Sequence, residues 1–114
     1  MHELSLAEEV ASIVAANAGS LARVTRVTLS IGELAGVEVD ALCFALASTL
    51  RGGKAESAQI EIESVPARAR CPRCGREQHV ETRFDDCVAC GAVGLQLLQG
   101  DRMVVSAIAG DALN

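Results

Sequence analysis

The sequence predicts an α+β fold, a small sheet of about three strands with two helices, carrying an inserted zinc-ribbon-like domain. Two segments, 4–17 and 39–50, repeat apolar residues at helical spacing, while 23–31, 59–65 and 103–108 read as strands. Between the second and third strands, the stretch from Arg70 to Gly91 holds four of the five cysteines as two Cys-x-x-Cys pairs. That order makes the first domain discontinuous, 1–68 and 100–114, with the cysteine-bearing domain at 69–99.

The first helix rests on Leu6, Val10, Ile13 and Val14, at i, i+4, i+7 and i+8, with Glu8, Glu9 and Ser12 elsewhere on the wheel. Ser5 is placed to cap it, Glu8 to complete a capping box and Gly19 to end it. Met1, His2 and Glu3 then precede the helix as a free arm. In the first strand Val27, Leu29 and Ile31 alternate with Arg26, Thr28 and Ser30, the period of a strand with one buried face. The segment from Gly32 to Gly36 breaks that pattern. Helical spacing returns through Val39, Leu42, Cys43, Leu46 and Leu50, with Asp40 or a neighbour at the cap and Gly52 and Gly53 closing the helix. Ile60 and Ile62 alternate with Glu61 and Glu63 until Pro66 stops the pairing. Met103 to Ile108 is too uniformly apolar to name a buried face, which suggests a position inside the sheet.

Half of the 114 residues are hydrophobic, yet only Phe44 and Phe84 are aromatic, so the core must be aliphatic. A net charge of -5 and a pI near 4.9 argue against nucleic acid as a partner. The arginines at 68, 70, 73 and 76 form the one local basic cluster. The start lacks the basic and apolar regions of a signal peptide, and no apolar stretch is long enough to span a bilayer. A cytoplasmic protein without membrane association is expected, whose reduced thiols favour metal ligation over disulfides. Cys43, alone in an apolar run, reads as a small buried hydrophobe.

Cys71, Cys74, Cys87 and Cys90 match a tetrahedral zinc site, two sulfurs from each turn. A complete set of four leaves no open coordination position, which makes the expected zinc structural. The twelve residues between the pairs suffice for a short hairpin joining the two knuckles. Gly75 and Gly91 can take positive φ and turn backbone N–H groups toward the sulfurs. Arg70, Arg73 and Arg76 would offset the thiolate charge. His79, five residues after Cys74, is the one competing ligand and reads as solvated. No nucleophile lies beside a base, and there is no Gly-rich phosphate loop, so the chain does not read as an enzyme. A redox Cys-x-x-Cys would follow a strand and open a helix, whereas Cys71 and Cys74 sit beside Pro72 and Gly75 and face a second pair. The competing reading is a zinc-ribbon module that binds protein or nucleic acid.

The bulky second residue should keep the initiator methionine in place. The Met1 amine, the amides of His2 and Glu3 and the His2 ring would then form a planar nitrogen set of the kind that suits Ni(II) or Cu(II). By chemistry alone, a solvated surface histidine is the more ordinary reading.

The opening MHELSLA, the run IGELAGVEVDALCFAL, the knuckles CPRCG and CVACG and the late LLQGDRMVVSAIAG together resemble the HypA/HybF family of hydrogenase maturation factors. The resemblance covers nearly the whole chain, in order. It implies a metallochaperone rather than an enzyme, with transient Ni(II) at Met1, His2 and Glu3 and structural Zn(II) at Cys71, Cys74, Cys87 and Cys90. It also implies a partner GTPase, the nickel-iron hydrogenase large subunit as acceptor, and a possible homodimer. The Glu3 carboxylate could orient the His2 imidazole, add an apical oxygen or contact a partner; the first is preferred, by analogy with carboxylates that hold metal-bound histidines.

Overall fold

A computed structural model of the protein describes residues 2–113. Its elements in chain order are α1 (Glu3–Asn17), β1 (Leu21–Gly32), α2 (Val39–Thr49), β2 (Gln59–Val65), β3 (Arg68–Arg70), β4 (Glu77–His79), β5 (Gln96–Gln99) and β6 (Met103–Ala112). They form two three-stranded sheets, ordered β2-β1-β6 and β4-β3-β5. This is the predicted α+β class, with its two helices and the cysteine-bearing insertion. The chain divides into two compact units, one of residues 1–30, 37–63 and 104–114 and another of residues 31–36 and 64–103. Among the described residues no helix is long and apolar enough to cross a membrane.

In the first unit, α1 packs against α2. The buried residues are aliphatic, as the composition required: Leu6, Val10 and Val14 from α1, Leu42 and Leu46 from α2, and Val24, Val27 and Leu29 from β1. Burial along β1 follows the expected alternation from Val27 onward, but Val24 is buried as well, so the inward face shifts register between the two valines. Both aromatic residues stay outside, with Phe44 82% and Phe84 90% exposed. Cys43 is only half buried, because its neighbours on the wheel, Leu42 and Leu46, occupy the centre of the inward face.

Helix α1 starts earlier than the capping box at Ser5 suggested. His2 is its N-cap, and the ladder opens with Leu6 N–H donating to the His2 carbonyl at 3.2 Å. A tertiary bond explains the early start: the Glu3 carboxylate accepts the Glu38 N–H at 3.1 Å, so Glu3 is held in the first turn. Glu3 therefore belongs to the helix and not to the expected arm, and Met1 lies outside the described residues.

The C-terminal strand departs from expectation in the opposite sense. The order β2-β1-β6 makes β1 the central strand and β6 an edge. None of its described residues is buried: Met103, Val105 and Ile108 are half-buried, Ala107 and Ala109 are exposed and Val104 is 47% exposed. A Cβ at Gly110 would lie 2.0 Å from the Arg23 carbonyl oxygen, so the backbones approach closely where that side chain is missing.

The second unit has a small core of Ala67, Ala69 and Val80, against which Leu34, Leu95 and Leu97 pack. Strand β3 is its centre, antiparallel to β4 through the pairs Arg68 with His79, Ala69 with Gln78 and Arg70 with Glu77, and antiparallel to β5. The hairpin thus encloses the first knuckle; it does not lie between the two knuckles as expected. Strands of three and four residues are too short to register as periodicity. Three backbone segments meet where a Cβ on Gly32 would lie 2.2 Å from the Gly100 carbonyl carbon and one on Gly100 would lie 2.5 Å from the Ala67 Cα. Gly100 has φ +96 as well, so Gly100→Ala adds a clash to backbone strain and should lower stability by about 1–3 kcal/mol or more in denaturant unfolding. Gly94→Ala, at φ +76 but with nothing within 4 Å, should show only the left-handed penalty of about 1–2 kcal/mol; equal losses in the two variants would contradict the close approach.

Candidate metal centre

Each cysteine pair forms the same turn. Cys71 N–H donates to the Arg76 carbonyl at 2.8 Å and Gly75 N–H to the Cys71 carbonyl at 2.9 Å; Cys87 N–H donates to Ala92 and Gly91 N–H to Cys87, both at 2.9 Å. Gly75 and Gly91 take φ +79 and +74, the left-handed conformation that closes a turn of this kind. Their N–H groups face carbonyls rather than sulfurs. The donors to the Cys71 sulfur are instead Arg73 N–H and Cys74 N–H, each at 3.4 Å.

All four Sγ atoms lie within 4.8 Å of one another, with Cys71 to Cys90 at 3.6 Å and Cys74 to Cys87 at 3.7 Å. A tetrahedral ion with Zn–S bonds of about 2.3 Å separates its sulfurs by roughly 3.8 Å, so this donor set fits zinc. The first cysteine of each pair is buried and the second is exposed. The Cys90 and Ala89 N–H groups pull the Cys87 thiol down to about 6. Cys90 is helped by the Ala92 N–H, but burial and the sulfurs of Cys71, Cys87 and Cys74 outweigh it and push the thiol up to about 11. Such divergence is expected where adjacent groups of like charge cannot all ionise alone. A cation at the centre removes the conflict.

The surroundings differ from the sequence reading. Arg70 pairs with Glu77 at 2.8 Å, across the strand pair that encloses the first knuckle, and is thereby drawn to a carboxylate. His79 stands apart from the sulfurs, with Nε2 2.9 Å from Glu33 Oε1. Glu33 also accepts the Ala67 N–H at 2.8 Å, and its own N–H donates to the Val65 carbonyl. The Ala67 N–H, then His79, hold this carboxyl below its ordinary range. Gln78 is buried and bridges toward the second knuckle, donating Nε2–H to the Asp86 carbonyl at 3.1 Å and accepting the Val88 N–H at 3.0 Å. Neither role was foreseen. A lone Glu after a glycine and a Gln in a three-residue strand carry no local signal of long-range partners.

At the other candidate site, His2 is exposed at the N-cap and its ring makes no capping bond. The Glu3 carboxylate accepts the Glu38 N–H through one oxygen at the start of α2, where an anion is favoured. Met1 falls outside the described residues, so the amine of the planar set is not located.

A family model described as hydrogenase/urease nickel incorporation, metallochaperone, hypA matches residues 1–110. The hydrogenase maturation factor HypA of Rhodobacter capsulatus is 45% identical over 105 residues, covering 90% of this chain and 93% of that protein. That of Geotalea daltonii is 42% identical over 108 residues, covering 95% and 97%. The solution structure of the Ni metallochaperone HypA from Helicobacter pylori aligns with a TM-score of 0.76 at 18% identity, over 99% of this chain and 100% of that one, a likeness of fold.

The Glu3 bond makes stability depend on pH. The Glu38 N–H, the largest influence, lowers the carboxyl below its ordinary value of 4.5. A depressed acid contributes its stabilisation fully above that ordinary value and loses it as pH falls through the depressed one. Glu3→Gln should therefore melt below the unsubstituted protein at neutral pH, with the gap closing toward about pH 3. A gap constant across that range would show that the charge of Glu3 does not contribute.

Proposed function

Because the chain belongs to the HypA family of nickel metallochaperones, we propose that it binds Ni(II) transiently at its N-terminus and delivers it for maturation of nickel-iron hydrogenase. The observation that carries this reading is the exposed His2 ring, free of any capping bond at the start of α1, in a chain whose four clustered cysteines already make a complete set for another metal. Nickel is the cargo and zinc the resident ion. Cys71, Cys74, Cys87 and Cys90 would hold zinc, which would supply no chemistry beyond neutralising and fixing the four sulfurs. Met1, His2 and Glu3 would hold nickel through the amine, two amides and the imidazole, a planar set that proton release makes strongly pH dependent. The Glu3 side chain would meanwhile anchor the site to α2.

On this reading the nickel function belongs to the discontinuous domain 1–68 and 100–114, and the zinc function to 69–99. A maturation GTPase and the hydrogenase large subunit are the proposed partners, in the cytoplasm, and a homodimer is compatible with the role. No catalytic residue is assigned, since a carrier from a maturation-factor family needs only to bind and release.

Cys90→Ser should release about one equivalent of zinc and open the 69–99 segment to protease, because metal binding is folding free energy for so small a core. Full zinc retention with a resistant segment would remove Cys90 from the ligand set. For nickel, His2→Ala and a histidine-free N-terminal extension should each weaken binding by at least about 100-fold in calorimetry on zinc-loaded protein, with zinc content unchanged. Unaltered affinity in both would sink the N-terminal site. Loss with His2→Ala alone would keep the imidazole and discard the amine.

A further inference from the structure

Strand β6 ends the order β2-β1-β6, so one of its sides has no strand beside it. A free row of backbone N–H and C=O groups invites another strand, and sheet edges are ordinarily protected by charge, by proline or by a covering element. The opposite edge is protected in this way, since β2 contains Glu61 and Glu63 and is followed by Pro66. β6 is not: residues 103–110 include neither a charged side chain nor a proline. Beside the strand lies an open groove of about 230 Å³, lined by Ile13 and Asn17 of α1 and by Val105, Ala107 and Ile108 of β6. Ile13 and Ala107 are exposed there, while Val105 and Ile108 are half-buried. A free strand edge with an apolar groove alongside suits an added strand, whose backbone takes the edge hydrogen bonds while the groove takes side chains.

We infer that β6 pairs antiparallel with the β6 of a second copy of the chain, across a twofold axis, joining two three-stranded sheets into one of six strands. Three features select a second copy over a foreign segment. The first is charge: the unit that carries most of β6 has nine carboxylates against four basic side chains. Two such units repel over most of their surface, and the uncharged edge is where they can meet, whereas a basic partner would be drawn to the carboxylates instead. The second is the ends of the strand. Arg102 precedes the uncharged run and Asp111 follows it, so antiparallel pairing of the run with itself turns the basic end of each strand toward the acidic end of the other. The third is the groove. A twofold interface sets the same surface against itself, which brings a second α1 alongside and closes the two grooves, with Ile13, Val105 and Ile108, against each other. Because the β2 edge carries its glutamates, the pairing stops at two copies and does not propagate into a fibre. None of these features depends on nickel binding.

Light scattering of the zinc-loaded protein should give twice the chain mass of 11.8 kDa at high concentration and fall toward one chain on dilution. Hydrogen exchange at the amides of 103–110 should slow as the dimer forms. Ala107→Lys and Ala107→Glu should each weaken association by about tenfold or more, because like charges then face each other near the axis, and an equimolar mixture of the two should recover it. Gln59→Lys, on the opposite edge, should leave association within about twofold of the unsubstituted chain. If the Ala107 variants melt early or lose zinc, Ile13→Glu, on α1 rather than in the sheet, should give the same loss. A chain that stays monomeric up to about millimolar concentration would overturn the inference. A dimer indifferent to substitution at both Ala107 and Ile13, or broken by Gln59→Lys instead, would move the interface to another surface and overturn it as well. Weakening by each Ala107 variant without recovery in the mixture would rule out pairing of the strand with itself.

Discussion

Four sulfurs within 4.8 Å of one another constrain the second unit more than any other feature. Thiolates at that separation repel strongly in a partly buried setting unless a cation lies among them. The unit has little else to resist that repulsion. Its buried apolar core is three small or medium residues with three half-buried leucines packed on it, and its strands are three or four residues long. Cores of that size rarely support a fold without a metal or a covalent link. The hydrogen bonds of Gln78 and Glu33 then serve to fix the position of segments that the sulfurs draw together, rather than to supply the cohesion themselves.

The first unit obeys a different economy. Aliphatic side chains from two helices and a central strand fill its interior, and a polar bond between helix ends, Glu3 to Glu38, sets where α1 begins. Excess negative charge has accumulated on this unit alone, while the other balances six arginines against six carboxylates. Two stabilising strategies therefore sit side by side in one chain: apolar burial beneath an acidic surface, and sulfur convergence in a neutral shell.

Much of this is legible in the amino-acid sequence. Two helices, the strand at 23–31, the strand at 59–65 and the cysteine quartet all follow from spacing, because period and ligand geometry are local properties that a sequence records directly. The misread features depend on what other segments supply. A capping box at Ser5 is a sound local signal, but a carboxylate two residues earlier found a partner 35 residues away and drew the helix start with it. Uniformly apolar β6 looked interior because hydropathy records the side chains of a strand and not the number of strands that pair with it, and β6 lies at an edge with none of its residues buried. The cysteine cluster itself was clear; the residues that brace it, Glu33 and Gln78, were not, since a single polar side chain reveals nothing of the backbone group it will meet.

With Leu6 as the first donor in the ladder, the N–H groups of His2, Glu3, Leu4 and Ser5 have no acceptor within the helix. A metal that displaced the protons of the first two would take nothing from α1. It would also meet those nitrogens already ordered by a helix and a carboxylate anchor, so little chain entropy remains to be lost on binding. Had the helix begun at Ser5, the same nitrogens would belong to a flexible tail, and each metal capture would first have to freeze it.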